Sequence, residues 1–252
     1  MIDLHGKTAL VTGGSRGIGQ AVSLLLAQAG ADVAVACRKR SQHAETVASG
    51  IRSFGRRSLL FAGDLSRYDD VERLFAETLE AWEHLDIVVA NAGIWKRCPV
   101  DEITESAWRE TVDANLSSAV FTCSFAARHM KARREGAIVL ISSTAAQRGE
   151  PYHSHYAASK GGIVSLTKSL AGELGPWNIR VNCVAPGWVL TDMSRAALEG
   201  EEERKAVLQE IPLGRIAEPA DIAGAVLFLV SDLARFVQGE ILNVNGGSVL
   251  CG

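Results

Sequence analysis

Short apolar runs alternate along the chain with longer segments in which apolar residues recur every three or four positions. The short runs, rich in Val, Ile, Leu and Ala, predict strands at 7–12, 31–36, 58–64, 85–91, 136–142, 179–185 and 240–245. The longer segments predict helices at 18–29, 41–54, 68–82, 105–132, 156–174 and 219–229. Because strands that are apolar almost throughout are buried on both faces, the alternation predicts one doubly wound α/β domain over residues 1–252, a parallel β-sheet flanked by helices.

One segment, 191–213, lies outside this alternation. It is polar and highly charged, as its stretch EGEEERKAVLQE shows. Such a segment fits two interpretations, a solvated pair of helices or a mobile cover over a binding site. We favour the cover, because the segment follows the end of a strand, where open α/β sheets bind their ligands.

The composition is that of an ordinary globular protein and argues against several classes of function. The 252 residues are 47% hydrophobic and 22% charged, and the net charge of −3 provides no overall basic field for nucleic acid. The apolar runs are far shorter than the about 20 residues that span a bilayer, and the first residues lack the pattern of a signal peptide. Five scattered cysteines without a CxxC pair predict reduced thiols in a cytoplasmic protein that binds no membrane.

A glycine-rich turn, TGGSRGIG at 12–19, falls between the first predicted strand and the first predicted helix. Glycines at this place let the backbone approach a pyrophosphate, and the helix N-terminus supplies free N–H groups and the positive end of the helix dipole. A tight strand-to-helix turn also needs glycine, so the motif by itself fits both interpretations. The strand before it and the helix after it favour a dinucleotide site.

A second motif, YAASK at 156–160, places Tyr156 and Lys160 four residues apart at the start of a predicted helix, so that both side chains lie on one face. A free tyrosine has a pKa of about 10, and a nearby ammonium group lowers that pKa by favouring the phenolate. The pair can therefore exchange a proton with a carbonyl or alcohol oxygen. A surface tyrosine and lysine on an amphipathic helix would give the same spacing.

Two further polar residues fit the same chemistry. Ser143 ends the fifth predicted strand, 13 residues before Tyr156, and its hydroxyl can bond a reacting oxygen because strand ends in such sheets face the crevice. Its neighbour Ser142 is expected to point the opposite way. Asn115 lies within a predicted helix, where asparagine is intrinsically unfavourable, and it fits either a helix-packing amide or an ordered polar relay.

Together these motifs resemble the short-chain dehydrogenase/reductase family along the whole chain. The spacing Thr-Gly-x-x-x-Gly-x-Gly is that of the family's shorter form, and Asn115, Ser143, Tyr156 and Lys160 match its catalytic tetrad. The resemblance implies a Rossmann fold and hydride transfer between a nicotinamide cofactor and a substrate carbon. In the implied mechanism Tyr156 exchanges the proton while Ser143 orients the substrate oxygen. Lys160 binds the nicotinamide ribose and lowers the pKa of Tyr156, and Asn115 holds a water molecule that links Lys160 to solvent.

The same resemblance implies which residues bind the cofactor and which cofactor they prefer. The matching positions are Gly13, Ser15, Arg16, Gly17, Ile18, Gly19, Arg38, Asp64, Leu65, Asn91, Ala92, Gly93, Tyr156, Lys160, Pro186, Gly187, Val189 and Thr191. Members that use NAD(H) end the second strand with an acid that accepts the ribose 2′-hydroxyl, whereas Cys37 stands there in this chain and Arg38 follows. Arg38 and Arg16 suit a 2′-phosphate, so we expect NADP(H) to be preferred over NAD(H). Lys39 and Arg40 are interpreted as a solvated helix start.

The resemblance is strongest to bacterial 3-oxoacyl-[acyl-carrier-protein] reductases. It implies reduction of a ketone in a carrier-bound acyl thioester, a role in fatty acid biosynthesis and a homotetramer built through the helices at 105–132 and 156–174 and the C-terminal segment. Arg133 and Arg134 match basic residues with which such enzymes meet an acidic carrier protein, although Trp177 stands at a second basic position.

The residues that shape the substrate pocket fit more than one class of substrate. The loop WKRCPVDEIT at 95–104 is closer to that of sugar and polyol dehydrogenases of the same family. We therefore place the acyl substrate only slightly ahead of a sugar, a polyol or another small alcohol. The expected substrate contacts are Ser143, Ala145, Gln147, His153, Tyr156 and Trp188, with Trp95 and Met193 also shaping the pocket.

Other classes of function fit the sequence less well. A regulator that binds a dinucleotide without turnover is the alternative from another class, but it has no need for the tetrad. Nucleic-acid binding through the run CRKR at 37–40 is disfavoured by the net charge of −3. His153 and His155 form an H-x-H pair, which we expect to lie at the substrate mouth or the surface without binding a metal. No G-x-S-x-G motif surrounds Ser143, which argues against a hydrolase.

Overall fold

Seven parallel strands form one sheet within residues 2–250, the part of the chain that this computed structural model describes. The strands are β1 (Thr8–Thr12), β2 (Asp32–Cys37), β3 (Ser58–Ala62), β4 (Ile87–Ala90), β5 (Gly136–Ile141), β6 (Ile179–Pro186) and β7 (Ile241–Val244). Their order across the sheet is β3-β2-β1-β4-β5-β6-β7, and every neighbouring pair is parallel. The order reverses between β1 and β4, and the crevice at such a reversal is where open α/β sheets bind ligands.

Helices cover both faces of the sheet. They are α1 (Gly17–Gln28), α2 (Gln42–Ser53), α3 (Tyr68–Trp82), α4 (Glu105–Val112), α5 (Ser118–Arg133), α6 (Ala145–Arg148), α7 (Ser154–Leu174), α8 (Glu201–Gln209) and α9 (Pro219–Val230). Capping side chains fix where some of them begin. The Ser41 hydroxyl accepts a hydrogen bond from the Ala44 N–H at 3.3 Å, before α2, and the Thr104 hydroxyl accepts one from the Ala107 N–H at 3.1 Å, before α4.

Alternate strand residues enter two different cores, one on each side of the sheet. On β1, Val11 packs into the core that α1, α2 and α9 cover, whereas Leu10 packs into the core that α3, α5 and α7 cover. Both side chains are fully buried. The strands are mostly apolar because successive residues point to opposite faces and both faces are covered. The predicted doubly wound α/β fold is therefore confirmed.

The helix predicted at 105–132 is interrupted. A π-helical turn, Asp113–Ser117, separates α4 from α5 and contains Asn115. The segment 191–213 contains a short 3₁₀ turn, Ala196–Leu198, followed by α8. Turns of this π-helical type are rare, and many of those known lie at functional sites. The interruption therefore marks this part of the molecule as a candidate site.

Neither disulfides nor membrane-spanning helices occur among the residues that the structure describes. Four cysteines of the described chain, Cys37, Cys98, Cys123 and Cys183, are free thiols. The fifth, Cys251, lies outside the described residues. Among residues 2–250 no helix combines the length and the apolar character needed to cross a bilayer.

Candidate active site

The glycine-rich turn lies between β1 and α1, at the carboxyl edge of the sheet. Gly17 has a φ of 52°, in the left-handed region that glycine adopts without strain, and a Cβ there would come within 3.2 Å of the Thr191 side chain. A Cβ on Gly19 would overlap the carbonyl oxygen of Gly13. Within the described chain no side chain caps α1 and its first turn carries no acid, so its N–H groups stay free for an anion. The residues present therefore fit the pyrophosphate of a dinucleotide.

The loop after β4 holds the glycine turn in place. The Asn91 side chain donates a hydrogen bond to the Thr12 carbonyl at 2.9 Å. In return the Thr12 hydroxyl accepts hydrogen bonds from the backbone N–H groups of Asn91 and Ala92, both at 3.0 Å. Gly93, the last residue of this NAG motif, lines the cleft described below. The motif therefore connects the predicted pyrophosphate turn with the predicted reaction centre.

The end of β2 carries no acid. Cys37 is buried there, and burial raises the pKa of its thiol. Its neighbour Arg38 is exposed, with Nη2 at 3.2 Å from Oδ2 of Asp64. Burial acts to raise the pKa of Asp64, but hydrogen bonds from Ser66 and the charge of Arg38 outweigh burial, so the pKa lies below its usual value. Arg16, at the start of α1, is exposed as well, so both predicted guanidinium groups are open to solvent at this edge.

A cleft opens at the carboxyl edge of the sheet. The predicted site residues that line it are Ile18, Asn91, Gly93, Ser143, Ala145, Tyr156, Lys160, Pro186, Gly187, Trp188, Val189 and Thr191. The predicted cofactor positions that do not line it are Gly13, Ser15, Arg16, Gly17, Gly19, Arg38, Asp64, Leu65 and Ala92. Arg16 and Gly17 border a second groove that also contains Thr191, and the side chain of Leu65 packs in the core.

Two adjacent serines at the end of β5 have different partners. The Ser142 hydroxyl donates to the Lys160 carbonyl at 2.9 Å and so holds β5 against α7. The Ser143 hydroxyl accepts a hydrogen bond from the Ala145 N–H at 3.1 Å and shares another with Tyr156. Ser143 is therefore the serine whose hydroxyl lies beside the tyrosine, as the sequence predicted.

Tyr156 and Lys160 lie one turn apart on α7, and both are buried. Burial raises the pKa of Tyr156 to about 12; the hydrogen bond with Ser143 opposes this rise, and the negative charge of Glu150 adds to it. Burial lowers the pKa of Lys160 to about 8. The Lys160 Nζ donates to the Ile141 carbonyl at 2.8 Å and lies 5.9 Å from the centre of the Tyr156 ring. The net shift of the Tyr156 pKa is upward because burial dominates it, and the lowering of this pKa by Lys160 stays a prediction.

Asn115 is fully buried in the π-helical turn and ties three segments together. Its Oδ1 accepts a hydrogen bond from the Ile94 N–H at 2.7 Å, and its Nδ2 donates to the Ile94 carbonyl and to the Ser159 hydroxyl, both at 3.0 Å. The Ser159 hydroxyl in turn donates to the Tyr156 carbonyl at 2.7 Å. The side chain thus acts as a packing amide that fixes the loop after β4 against α7, and the water relay stays a prediction.

Two tryptophans and a carboxylate form one wall of the cleft. Trp95 and Trp188 meet edge to face, with ring centres 6.0 Å apart and planes at 86°. The Trp95 Nε1 donates to Oε1 of Glu150 at 3.0 Å. The sequence predicted both tryptophans as pocket residues but missed Glu150, for which the only signal was a carboxylate between the two catalytic motifs. Other lining residues that it missed or gave no role are Ile94, Ile141, Ser142, Thr144, Arg148 and Ser194.

Two predicted substrate contacts lie elsewhere. The Gln147 side chain points away from the cleft, because side chains that are two residues apart on the helical turn α6 face different directions. Its Nε2 donates to Oδ1 of Asn243 at 2.6 Å and so ties α6 to β7. His153 lies behind Trp95, since the two rings stack with centres 4.4 Å apart and planes 6° apart. Neither side chain lines the cleft in this structure, and their contact with substrate stays a prediction.

Both histidines of the H-x-H pair are buried. The His153 Nδ1 lies 3.1 Å from the Pro151 carbonyl oxygen and 3.6 Å from Oε1 of Glu150. His155 is buried, and burial together with the neighbouring His153 lowers its pKa. In the part of the chain that the structure describes, no three His, Cys, Asp or Glu side chains are grouped so that they could hold a metal ion.

The basic residues predicted to meet a carrier protein have partners within the chain. Arg133 pairs through Nη1 with Oδ1 of the buried Asp86 at 3.0 Å. Arg134 donates to the Pro176 carbonyl at 3.0 Å and lies over the Trp177 ring, 5.4 Å from its centre. Of the two, only Arg134 therefore presents a cation that is not already neutralised by a buried acid.

The segment 191–213 borders the cleft at its first residues. Thr191, Met193 and Ser194 line the cleft, and the Ser194 hydroxyl donates to the Val189 carbonyl at 2.5 Å. Beyond them α8 is exposed on most of its surface and is held mainly by a small apolar cluster. The buried members of that cluster are Leu198, Val207, Ile211 and Ile216.

Comparison with known proteins identifies the family. A family model described as enoyl-(acyl carrier protein) reductase matches residues 13–248. The L-rhamnose 1-dehydrogenase (NAD(P)(+)) of Azotobacter vinelandii is 40% identical over 251 residues, 97% of each chain. A 3-oxoacyl-[acyl-carrier-protein] reductase of Staphylococcus aureus is 38% identical over 242 residues, 96% of this chain and 97% of that one. A solved short-chain type dehydrogenase/reductase from Mycobacterium marinum superposes with a TM-score of 0.93 at 33% identity and covers 99% of this chain and 98% of that one. The chain therefore belongs to the short-chain dehydrogenase/reductase family of oxidoreductases.

Proposed function

We propose that this protein interconverts a small hydroxylated secondary alcohol and its ketone, with NADP(H) as cofactor, in the cleft beside the glycine turn. The observation that carries the proposal is the composition of the cleft. Ser143, Tyr156 and Lys160 line it together with Ile18 and Gly93 from the two predicted cofactor loops. A substrate carbonyl in this cleft has a hydrogen-bond donor, a proton donor and the predicted cofactor within its reach.

The side chains divide the proton chemistry between them. Bound NADP(H) supplies or accepts the hydride. The Ser143 hydroxyl donates to the substrate oxygen and orients it toward Tyr156. In reduction, Tyr156 gives its proton to the developing alkoxide, and it holds that proton at neutral pH because burial raises its pKa to about 12. In oxidation Tyr156 takes the proton, and the Lys160 ammonium group favours the phenolate that this step requires.

The proposed preference for NADP(H) is supported by the charges that follow β2. Cys37 replaces the acid that would repel a 2′-phosphate, and the guanidinium groups of Arg38 and Arg16 are exposed at the same edge of the sheet. Asp64 at 3.2 Å neutralises part of the Arg38 charge, so Arg16 contributes to the preference as well. The relative named for L-rhamnose is named for both cofactors, and kinetics with NADPH and NADH test the preference of this chain.

A sugar or polyol substrate is supported by the wall of the cleft. Aromatic rings offer flat apolar faces against which the C–H surface of a sugar can pack, while neighbouring polar groups meet its hydroxyls. Trp95 and Trp188 supply such faces and Glu150 supplies a polar group. The 40% identical relative named for L-rhamnose belongs to this substrate class. We therefore reverse the order of the two substrate classes that the sequence favoured.

Reduction of a 3-oxoacyl group on a carrier protein, as in fatty acid biosynthesis, is the second candidate. It is supported by the relative of that function at 38% identity and by the exposed Arg134. Arg133, in contrast, is held by the buried Asp86. A long acyl chain would also have to pass between the tryptophan wall and the segment 191–213.

The proposal also includes a cover over the site, a tetrameric assembly and a cytoplasmic location. Residues 191–213 act as a cover over the bound substrate, which is supported by the cleft contacts of Thr191, Met193 and Ser194 and by the exposure of α8. The protein is a homotetramer, as the family resemblance implies. It works in the cytoplasm, which the free thiols of the described chain support.

Steady-state kinetics over a substrate panel tests the proposal. NADPH is assayed with keto sugars, acetoacetyl thioesters and simple diketones, and NADP⁺ with neutral sugars, including L-rhamnose, and with polyols. We expect the highest kcat/KM in the sugar and polyol group. A higher kcat/KM with the thioester would favour the second candidate, and a protein that binds NADPH but turns over no member of the panel would contradict the proposed function.

The variant Tyr156→Phe separates an enzyme from a dinucleotide-binding regulator. The phenyl ring keeps the packing of α7 but has no proton to exchange, so turnover should fall about 100- to 10,000-fold. Binding of NADPH, followed by its fluorescence, should remain. Tyr152→Phe is the matched control, because Tyr152 is exposed and does not line the cleft. Equal effects of the two substitutions would argue against the assigned role of Tyr156.

A further inference from the structure

Glu150 is a carboxylate in the substrate wall that the mechanism above does not use. Its side chain is 17% exposed and lines the cleft. Oε1 accepts a hydrogen bond from the Trp95 Nε1 at 3.0 Å, and the Nδ1 of His153 lies 3.6 Å from the same oxygen. Oε2 has no hydrogen-bond partner among residues 2–250. One oxygen is thus fixed by the protein while the other is left for a ligand.

The backbone around Glu150 is held in an unusual shape. Gly149, directly before it, has a φ of 73°, and Tyr152, two residues after it, has a φ of 65° although it carries a side chain. The Tyr152 carbonyl accepts a hydrogen bond from the Cys98 N–H at 2.8 Å, and the Arg97 guanidinium lies 4.5 Å from the centre of the Tyr152 ring. Strained positions persist where the surroundings over-determine them, and they cluster at ligand sites. The loop after β4 therefore holds Glu150 in the wall at several points.

The charge of Glu150 is not balanced by a permanent cation. No Lys or Arg of the described chain forms an ion pair with it, and His153, at 3.6 Å, carries a charge only when it is protonated. Arg148, which lines the cleft, is exposed and lies 3.9 Å from Oε2 of Glu210 in the segment 191–213. A carboxylate that is mostly removed from water and has no permanent counter-ion is costly unless hydrogen-bond donors reach it. The substrate hydroxyls of the proposed function are such donors.

We propose that Glu150 is a specificity-determining residue, whose Oε2 accepts a hydrogen bond from a substrate hydroxyl next to the reacting carbon while the Trp95 and Trp188 rings pack against the C–H surface. The assignment rests on the proposed function and narrows it. The enzyme selects neutral vicinal diols and the corresponding hydroxyketones over substrates without the second hydroxyl. It discriminates against substrates with a carboxylate at that position, because two negative charges would meet.

A pair of alcohols that differ by one hydroxyl tests this assignment. Oxidation of cyclohexane-1,2-diol and of cyclohexanol by NADP⁺ is compared in the wild type and in Glu150→Ala. The ratio of kcat/KM for diol to mono-ol should be well above one in the wild type and fall about 10- to 100-fold in the variant, the usual loss for a hydrogen bond to a charged group. Both alcohols use the same Tyr156, so any change in the pKa of Tyr156 cancels in the ratio.

Two further variants keep the test decisive. Glu150→Gln preserves the shape of the wall, so the ratio should fall there too, but by less, since an amide oxygen still accepts a weaker hydrogen bond. It replaces Glu150→Ala if that variant does not fold, as judged by thermal denaturation. Glu77→Gln removes the same charge from an exposed position on α3, outside the cleft, and should leave the ratio unchanged.

The possible results separate this assignment from the proposed function. An equal loss with both alcohols in Glu150→Ala would overturn the assignment and leave the proposed function standing. A wild-type preference for 2-aminocyclohexanol over the diol, lost in Glu150→Gln, would overturn it in favour of an ammonium site. A wild type that binds NADPH but oxidises none of these alcohols and reduces none of their ketones would overturn both.

Discussion

Arg38 is the side chain on which the proposed cofactor preference depends most. Its guanidinium group is exposed, follows a buried cysteine instead of an acid and lies 3.2 Å from the Asp64 carboxylate. Exposed ion pairs of this kind contribute little free energy. A 2′-phosphate, which carries more charge than one carboxylate, can therefore compete for the same guanidinium group.

The substitution Arg38→Asp should shift the preference from NADPH toward NADH. It removes a cation that the 2′-phosphate needs and supplies an acid that can accept the ribose 2′-hydroxyl. The ratio of kcat/KM for NADPH to that for NADH should fall about 10- to 100-fold. Arg40→Asp is the matched control, because Arg40 is equally exposed but donates to the Leu60 carbonyl at 3.3 Å. A wild type that already prefers NADH, or equal shifts in the two variants, would contradict the role of Arg38.

Deprotonation of Lys160 should set an upper pH limit on the reaction. Burial lowers its pKa to about 8 from the ordinary 10.5, so the ammonium group is lost as pH rises through about 8. The kcat/KM for NADPH reports groups of the free enzyme, and we expect it to be constant from pH 6 to 7 and to fall above pH 8. Tyr156 stays protonated over that range because its pKa is raised to about 12. A kcat/KM for NADPH that is unchanged between pH 7 and 9.5 would contradict this assignment.

Unfolding can be distinguished from the expected fall in kcat/KM above pH 8. The unfolded chain binds the Lys160 proton more tightly than the folded one, since the folded pKa of about 8 is below 10.5. Between these pH values the unfolded state therefore binds more protons, and the contribution of Lys160 to folding stability increases as pH rises. Thermal denaturation at each pH is the control. A fall in activity without a fall in melting temperature assigns the limit to the site.

Some site residues could be predicted from the sequence because their types carry chemistry at a fixed spacing. Ser143, Tyr156 and Lys160 were placed in this way, and the structure brings them into one cleft. Gln147 and His153 do not line the cleft, because they lie on a helical turn and in a loop, where spacing does not give the direction of a side chain. The rise in the pKa of Tyr156 could not be foreseen, since it depends on burial by distant parts of the chain.

At the scale of elements, the π-helical turn between α4 and α5 could not be predicted from the sequence pattern. The apolar pattern continues through it, so periodicity predicts one helix from 105 to 132. The hint was Asn115, which is unfavourable inside a helix unless its amide finds partners. In the structure those partners are the backbone of Ile94 and the hydroxyl of Ser159. Long-range hydrogen bonds thus decide where the helix is interrupted.

Asn115→Ala should reduce both stability and activity. It leaves the Ile94 N–H and carbonyl and the Ser159 hydroxyl without their partner, and we expect the free energy of unfolding to fall by about 2–4 kcal/mol. Because Ile94 and Tyr156 are both tied to this network, kcat/KM of the folded protein should fall at least about tenfold, a value typical of misplaced site residues. Denaturant unfolding and steady-state kinetics measure the two effects.

Asn182→Ala is the matched control for that prediction. Asn182 is also a buried amide, which donates to the Val237 carbonyl at 2.9 Å and accepts from the Glu240 N–H at 2.9 Å, away from the cleft. It should lose a similar amount of stability and keep its kcat/KM. If both variants lose activity to the same extent, the network around Asn115 has no special connection to the site.

At the scale of the whole molecule, the fold could be predicted because most strand residues on both faces had to be apolar. Val11 and Leu10, adjacent on β1, enter opposite cores, and the same alternation in the other strands leaves only the carboxyl edge for polar chemistry. The exposed apolar residues could not be predicted in the same way. Phe236 is fully exposed and Leu233 is 67% exposed, although neither lines the cleft. We expect another subunit to cover these two exposed apolar side chains.

The exposed residue Phe236 provides a test of the expected oligomeric state. We expect sedimentation and light scattering to give four times the 26.9 kDa mass of the chain. Phe236→Asp should reduce that mass, because a tetramer interface that contains Phe236 would have to bury the new charge without a partner. Phe54→Asp is the control: Phe54 is 46% exposed at the end of α2, outside the segments expected at the interfaces. A protein that stays monomeric at all concentrations would contradict the expected tetramer. A tetramer indifferent to Phe236→Asp would place its interfaces on the α4, α5 and α7 side alone.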